Sequence, residues 1–247
     1  MWEKRETRRQ AITAMIHAVT FDVTGTLIHC PRLGELYAEV LNRHEIAVSP
    51  LEAGRLVRLV WQELACLADP GRDRFRSHPE GARGFWQRFL ERVAEHLEAP
   101  VPSRFAAAEL FHRFGSPEAW EVYPEVRGVL ASLKGQGLRL AVISNWDERL
   151  PLLLEQLALT PFFDAVVTSS EVGVEKPDRR IFAEALRRLG VEPEAALHVG
   201  DSPLEDVEGA IAAGMEAVHL DRGRRRGGIP DLSGLAAIPA LAPIAGR

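Results

Sequence analysis

Short apolar runs alternate with amphipathic stretches through the second half of the chain, and this alternation constrains the fold more than any other feature. From residue 119 onward, four runs rich in valine, isoleucine, leucine and alanine are typical of buried strands, and the stretches between them have helical periodicity. Strands that alternate with helices form a parallel sheet with helices on both faces. Together with a first strand at residues 17–21, the sequence predicts an α/β fold with a doubly wound parallel sheet. The later strands are predicted at residues 138–144, 165–169, 196–200 and 217–220, and the helices at 125–136, 148–157, 179–189 and 203–213.

The segment between about residues 33 and 115 has a different character. It shows helical periodicity and arginine-rich faces, with almost no strand signal. We therefore expect a helical cap of residues 33–115, inserted into a core that consists of residues 15–32 and 116–247. Residues 1–14 are polar and mixed in charge, without an apolar signal core, and we expect them to form a disordered extension.

Composition and charge exclude several classes of function. The net charge of −5 and the absence of a long basic stretch argue against a nucleic-acid partner. No apolar run approaches the roughly 20 residues of a membrane-spanning helix, so we expect no membrane partner. The two cysteines, Cys30 and Cys66, are not spaced as metal ligands and favour a reduced, cytoplasmic location. A monomer and a dimer both remain open.

Polar residues follow the predicted strands at four places. Ligands of an open parallel sheet bind at the carboxyl ends of its strands. Each polar cluster has a simpler interpretation as a turn or a helix cap, but the occurrence of all four on one sheet favours a shared site. The clusters are Asp22 with the turn Val-Thr-Gly-Thr, Ser144 with Asn145, Lys176 with Pro177 and Asp178, and Gly200-Asp201-Ser202 with Asp206.

In order and spacing, these four motifs resemble those of the haloacid dehalogenase-like (HAD) hydrolase superfamily. The resemblance extends from about residue 16 to residue 222 and implies a Rossmann-like core with a helical cap of the first type. Residues 137–145 and 173–182 look like the branch named haloacid dehalogenase-like hydrolase domain-containing protein 3. The resemblance therefore implies a hydrolase.

The resemblance also implies a mechanism and a substrate class. Asp22 would attack a phosphorus atom and form an aspartyl-phosphate, as carboxylate nucleophiles do. Ser144 and Asn145 would bind the phosphoryl oxygens, and Lys176 would hold the nucleophile and offset its charge. The implied substrate is a small phosphorylated metabolite.

A magnesium site is part of the same resemblance. Asp22, Asp201 and the backbone carbonyl of Thr24 would be ligands of Mg²⁺, and Asp206 would be a ligand through water or a support for the others. Mg²⁺ takes few carboxylates together with water and substrate oxygens, and it shields anions that would otherwise repel each other.

Thr24 departs from the usual pattern of phosphatases in this superfamily. These enzymes usually carry Asp at this position, where it protonates the leaving oxygen and then activates water. A threonine hydroxyl can donate a hydrogen bond but is neither an acid nor a base near neutral pH, and acid–base catalysis is worth a factor of about 10²–10⁴. A slow phosphatase, an enzyme whose substrate has a good leaving group or its own acid, and a binding or regulatory protein remain open. Glu175 and His29 are alternative bases.

A 2-haloacid dehalogenase is the competing enzyme class. That reaction also uses the Asp nucleophile, the Ser-Asn pair and the lysine, but its site is similar to a metal-free one with an aromatic residue at the position of Thr24. The pattern from Gly200 to Asp206 looks like the metal-binding version instead. The motifs therefore favour a phosphatase.

Two features of the sequence bear on substrate choice. Arg72, Arg74 and Arg76 lie in one loop of the predicted cap, where they could bind the anionic end of a metabolite or be solvated. Trp146 follows the Ser-Asn pair and could line the substrate entrance or pack against the cap.

Overall fold

The computed structural model describes residues 16–67, 69, 71–222 and 231–232. In these residues the strands are β1 (Ala18–Phe21), β2 (Ile28–His29), β3 (Glu121–Val122), β4 (Arg139–Ser144), β5 (Ala165–Thr168), β6 (Ala196–Gly200), β7 (Glu216–Leu220) and β8 (Asp231–Leu232). The α-helices are α1 (Leu33–Arg43), α2 (Pro50–Leu67), α3 (Gly81–His96), α4 (Arg104–Phe114), α5 (Val126–Gly135), α6 (Leu150–Gln156), α7 (Ser169–Val172), α8 (Arg179–Leu189) and α9 (Gly209–Ala212).

Six of these strands form one parallel sheet in the order β5-β4-β1-β6-β7-β8. The predicted α/β fold with a parallel sheet is confirmed, and the predicted strands recur within one residue of their expected bounds. The predicted strand at 165–169 ends at Thr168, because Thr168 caps the short helix α7 by accepting a hydrogen bond from Glu171 N at 3.3 Å.

Side chains of alternate strand residues pack on opposite faces of the sheet, as the pleat requires. Val19 and Phe21 of β1 belong to a buried cluster with residues of α5 and α6. Ala18 belongs to a second cluster, on the side of α8, with Ile181 and Phe182. Both faces of the sheet are therefore covered, which explains why its strands consist mostly of apolar residues.

The register of the sheet places three strand ends side by side. Phe21 of β1 pairs with Val142 of β4 on one side and with Val199 of β6 on the other. Asp22 therefore emerges next to the last residues of both neighbours, Ser144 and Gly200. The polar residues that follow β1, β4 and β6 meet at one edge of the sheet.

Helices α1 to α4 have a hydrophobic cluster of their own, and we call residues 33–114 the cap segment. The segment leaves the core after β2 and returns before β3, and these two short strands pair in antiparallel fashion, Ile28 with Val122 and His29 with Glu121. This antiparallel pair is absent from the sequence prediction because each strand has only two residues.

The exact division into core and cap stays a prediction, and the expected extension at residues 1–14 lies outside the described residues. The hydrophobic cluster of the cap segment includes Tyr37, Leu41, Leu56, Val60, Phe85, Phe89, Leu90, Val93 and Leu110.

No helix in the described ranges combines the length and the apolar character needed to cross a membrane.

The helix predicted at 203–213 is divided into a π-helical turn, Pro203–Glu208, followed by α9. The wide turn begins where the backbone N–H groups of Asp206 and Val207 both reach Ser202 O, at 3.0 and 3.3 Å. It brings Asp206 so close to β6 that a Cβ on Gly200 would lie 2.1 Å from Asp206 Cγ, so only glycine fits there.

Candidate active site

Asp22 lies at the carboxyl end of β1, in the middle of the sheet edge. Its backbone N–H donates to Val199 O at 2.9 Å, which fixes the residue beside β6. Its Oδ1 accepts hydrogen bonds from Ser144 Oγ at 3.1 Å and from Lys176 Nζ at 2.7 Å. Burial raises the pKa of Asp22, and the positive charge of Lys176 opposes that rise. The structure thus brings together three of the residues that the motifs indicate.

The ammonium group of Lys176 joins two carboxylates. Its Nζ lies 2.7 Å from Asp22 Oδ1 and 2.5 Å from Asp206 Oδ1, and the side chain is buried. Burial alone lowers the pKa of a lysine, but the charges of Asp206 and Asp22 outweigh it and raise the pKa of Lys176 above its usual range. The two carboxylates therefore favour the protonated, cationic form of the lysine beside Asp22.

Asn145 holds the backbone of Lys176. The side-chain Oδ1 of Asn145 accepts from Lys176 N at 2.7 Å, and its Nδ2 donates to Lys176 O at 3.1 Å. The side-chain amide of Asn145 is thus used inside the protein, where it fixes the position of the lysine. The substrate-binding role expected of Asn145 stays a prediction.

Asp206 lies in a buried network that the sequence analysis missed in part. Its Oδ1 accepts from Lys176 and lies 3.2 Å from His198 Nε2, while its Oδ2 accepts from Ser202 N at 2.9 Å. His198 Nδ1 lies 2.8 Å from Thr20 Oγ1. Burial raises the pKa of Asp206, but Lys176 and the hydrogen bond from His198 outweigh burial and hold it well below its usual range. The one sequence feature that could have indicated a role for His198 is that it is a polar residue within an otherwise apolar strand.

Three carboxylates at this edge of the sheet could hold a metal ion. Oxygen atoms of Asp22, Asp201 and Asp206 all lie within 4.8 Å of one another. The surrounding protein and the charges of Asp22 and Asp206 raise the pKa of Asp201 to about 8, although its side chain is accessible from the cleft. Gly25 has a φ of +85°, and a Cβ there would lie 2.3 Å from Asp201 Oδ2, so the turn that follows Asp22 needs glycine at this position.

Thr24 is held by a tryptophan. Its Oγ1 accepts a hydrogen bond from Trp146 Nε1 at 3.0 Å. The indole N–H is only a donor, so the proton of the Thr24 hydroxyl remains available to another acceptor. Trp146 packs against the core cluster and beside Trp120, at a ring-centroid distance of 5.5 Å, and it also lines the cavity described next.

A cavity of about 560 Å³ lies between this edge of the sheet and the cap segment. Its floor includes Asp22, Thr24, Ser144, Asp201 and Asp206. This volume suits a small organic molecule. The remaining wall includes the aromatic side chains of Tyr37, Trp61, Phe75, Trp86, Phe89, Phe111, Phe114, Trp120 and Trp146.

An ion pair connects the cap segment to the loop that carries Lys176. Arg74 Nε and Nη2 donate to the carboxylate of Glu175 at 2.7 and 2.5 Å, and Arg74 N also donates to Glu175 Oε1 at 2.7 Å. Of the three loop arginines, Arg74 lines the cavity, whereas Arg72 and Arg76 are exposed. The bidentate contact that the loop was expected to offer a ligand is thus made within the chain.

A second polar contact crosses from the cap segment to the core. Trp86 Nε1 donates to Asp147 Oδ2 at 2.9 Å, and Arg149 holds the same carboxylate through Nε at 2.8 Å and Nη2 at 2.6 Å. The Nη1 atom of Arg149 donates to Phe111 O. Each nitrogen of the Arg149 guanidinium therefore has a protein acceptor.

Neither alternative base lies free at the site. The carboxylate of Glu175 is buried and bound by Arg74 on both oxygens. His29 does not line the cavity, and its Nε2 lies 3.7 Å from Glu121 Oε2. Neither residue therefore lies where it could supply the acid–base group that is missing at Thr24.

Comparisons with known proteins agree with this geometry. Residues 16–214 match the family model of haloacid dehalogenase-like hydrolases. Haloacid dehalogenase-like hydrolase domain-containing protein 3 of Mus musculus is 36% identical over 203 residues, which cover 81% of this chain and 79% of that protein. A glyceraldehyde 3-phosphate phosphatase of Methanopyrus kandleri is 35% identical over 217 residues, covering 85% and 86%.

Solved structures with this fold include two enzyme classes. A HAD phosphatase from Thermococcus onnurineus superposes with a TM-score of 0.64 and covers 92% of this chain and 97% of its own. A 2-haloacid dehalogenase from Pseudomonas syringae pv. Tomato DC3000 superposes with a TM-score of 0.61 and covers 92% and 98%. Both are 26% identical to this chain, so the fold by itself does not separate the two reactions.

Proposed function

Because the chain belongs to the haloacid dehalogenase-like hydrolase family, we propose that it is a Mg²⁺-dependent phosphatase of a small phosphorylated metabolite. The observation that carries this proposal is the contact of Asp22 Oδ1 with both Ser144 and Lys176, directly beside the carboxylate of Asp201. A glyceraldehyde 3-phosphate phosphatase among the relatives supports the choice of phosphate as the reacting group.

Asp22 is the proposed nucleophile. Because both of its side-chain contacts use Oδ1, Oδ2 remains to form the bond to phosphorus while the bond from phosphorus to the organic oxygen breaks. The leaving oxygen takes a proton, for which the hydroxyl of Thr24 offers a hydrogen bond but no strong acid. Water then attacks the phosphorus of the aspartyl-phosphate, the carboxylate of Asp22 is restored, and phosphate leaves.

Lys176 and Ser144 stabilise the charge that this reaction moves. The transferring phosphoryl group is anionic, and phosphoryl transfer depends mainly on positioning and charge neutralisation. Lys176 is a cation in reach of Asp22, held in place by Asn145 and Asp206. The hydroxyl of Ser144 can turn from Asp22 Oδ1 to a phosphoryl oxygen of the bound substrate.

The carboxylates fit a hard divalent cation such as Mg²⁺. Asp22, Asp201 and the carbonyl of Thr24 would hold it, and the ion would offset the negative charge of these carboxylates and of the phosphoryl oxygens. Both oxygens of Asp206 already accept hydrogen bonds within the protein. Of the two roles expected for Asp206, these bonds support that of a residue that positions Lys176 and the ligands.

The experiment that tests the function compares two substrates. Purified protein is given 4-nitrophenyl phosphate with Mg²⁺ and with a chelator, and, separately, 2-chloropropanoate. We expect phosphate release that depends on Mg²⁺ and no chloride release. Chloride release without metal would establish the dehalogenase instead, and metal binding without turnover of either compound would indicate a binding protein.

Mg²⁺ binding should tighten as the pH rises. The pKa of Asp201 is raised to about 8, so below that pH the carboxyl carries a proton that the cation has to displace. We expect the apparent Kd for Mg²⁺ to fall by up to about tenfold per pH unit between roughly pH 6 and pH 8, with release of about one proton. Calorimetric titration with MgCl₂ in buffers of different ionisation enthalpy measures both quantities.

The matched variant is Asp201→Asn, which removes the titrating group. In that variant Mg²⁺ binding should be weak and nearly independent of pH over this range. A wild-type affinity that does not change with pH would contradict the assignment of Asp201 as a ligand.

A further inference from the structure

The cavity beneath the cap segment has a composition that selects among phosphate monoesters. We propose that the organic part of the substrate carries an aromatic ring, with a neutral hydrogen-bond acceptor that binds Arg74 Nη1. This inference rests on the proposed phosphatase function and names the substrate class for it. It excludes a short polar chain, such as a three-carbon sugar phosphate, as the preferred substrate.

The wall of the cavity offers aromatic surface to a ligand. Five of its aromatic side chains are only half-buried: Trp61, Trp86, Phe114, Trp120 and Trp146. Trp61 and Trp86 lie nearly parallel, with ring centroids 5.9 Å apart and an interplanar angle of 16°. A short polar chain in this space would lose its hydration without gaining hydrogen-bond partners, whereas an aromatic ring would bury apolar surface against apolar surface.

Arg74 supplies a polar group within this aromatic wall. Its guanidinium carbon lies 5.0 Å from the ring centroid of Trp61, and its side chain is 10% exposed. Two of its nitrogens are used by Glu175, but Nη1 is buried and, among the described residues, has no acceptor. Buried donors in folded proteins nearly always have a partner. A ligand atom that accepts from Nη1 would supply it.

The charges around the cavity favour a neutral acceptor over an anionic one. Arg74 is neutralised by Glu175, and Arg149 by Asp147. Glu205 also lines the cavity and adds a negative charge when it is ionised, while Arg58 lies exposed at its rim. A second phosphate or a carboxylate buried next to Arg74 would therefore meet no cation that is both buried and uncompensated. A carbonyl, amide, ether or hydroxyl group fits Nη1 better.

Four alkyl phosphates with similar leaving groups test the inference. They are 2-phenylethyl phosphate, its 4-acetamido and 4-carboxy derivatives, and glyceraldehyde 3-phosphate. Because each phosphate is esterified to an alkyl oxygen, differences in kcat/KM report binding of the organic part rather than leaving-group chemistry. We expect the acetamido compound to be best, the phenyl compound next, and both to exceed the carboxy compound and glyceraldehyde 3-phosphate by about 10-fold or more.

Three variants separate the two parts of the subsite. Arg74→Lys keeps a cation for Glu175 but removes the fork, so the advantage of the acetamido over the phenyl compound should disappear. Trp61→Leu should reduce the preference for phenyl over glyceraldehyde 3-phosphate. Arg76→Lys, a change at an exposed neighbour, should leave all four values unchanged. Equal or better use of glyceraldehyde 3-phosphate by the wild type would overturn the inference.

A binding measurement keeps the inference independent of turnover. Trp61, Trp86, Trp120 and Trp146 line the cavity, and they are four of the five tryptophans of the chain. The alcohols 2-phenylethanol and 2-(4-acetamidophenyl)ethanol should change the tryptophan fluorescence in a saturable way, and Arg74→Lys should weaken the second alcohol only. Saturable binding without hydrolysis of any phosphate would refute the phosphatase but support the subsite. Failure of both alcohols to bind would overturn the subsite itself.

Discussion

Asp22→Asn should abolish turnover while the protein stays folded. Asparagine has nearly the same shape, and its Oδ1 can still accept from Ser144 and Lys176, so the network at the strand ends is retained. Lys176 also keeps its contact with Asp206. The amide is not a nucleophile, however, and we expect kcat to fall by about 10³-fold or more.

The covalent step can be measured directly in the same variant. Wild-type protein mixed with a ³²P-labelled substrate and quenched in acid should retain label that hydroxylamine releases, as acyl phosphates do, and Asp22→Asn should retain none. Asp164→Asn, a change at a surface carboxylate that pairs with Lys134, is the matched control and should behave as wild type. A labelled Asp22→Asn protein, or one with more than a few per cent of wild-type activity, would rule out Asp22 as the nucleophile.

Thr24→Asp should raise turnover of ordinary alkyl phosphates. The substitution restores a carboxyl group where the leaving oxygen needs a proton, and acid–base catalysis is worth a factor of about 10²–10⁴. Trp146 Nε1, which now donates to Thr24 Oγ1 at 3.0 Å, can donate to the new carboxylate instead. The gain should be smaller on aryl phosphates, whose leaving group needs little protonation, and any trapped phosphoenzyme should decay faster.

The added charge lies near Asp22 and Asp201, so the measurement has to separate chemistry from metal binding. Rates are taken at saturating Mg²⁺ over a pH series, with Thr24→Asn as an isosteric control that lacks the acid. Thr24→Asn should gain nothing. If Thr24→Asp has intact metal affinity and is still no faster on alkyl phosphates, the missing acid is not the step that limits this protein.

The fold could be predicted from the sequence because each strand is marked by a pattern of neighbouring residues. Each run of buried β-branched residues is bounded by a turn, and the carboxyl ends of parallel strands necessarily share one edge of a sheet. Asp22, Ser144 and Asp201 could therefore be placed together from the sequence alone. Their roles as nucleophile, binding group and ligand remain proposals.

The contacts that tune the site could not be predicted in this way. The bond from Trp146 to Thr24 and the pair of Arg74 with Glu175 join residues about a hundred positions apart, and nothing in either local sequence marks them. The use of the Asn145 side chain on the lysine backbone is likewise a tertiary event. The π-helical turn depends on the close approach of Asp206 to β6, which helical periodicity does not report.

The contact between Arg74 and Glu175 has a kinetic consequence. Glu175 directly precedes Lys176, so the cap segment is tied to the loop of the proposed catalytic cation by a buried ion pair. If the cap segment moves away from the core to admit a substrate or to release the product alcohol, Arg74 has to separate from Glu175 and Trp86 from Asp147. Opening of the cap segment, rather than bond breaking, would then be the rate-limiting step of each cycle once the chemical step is fast.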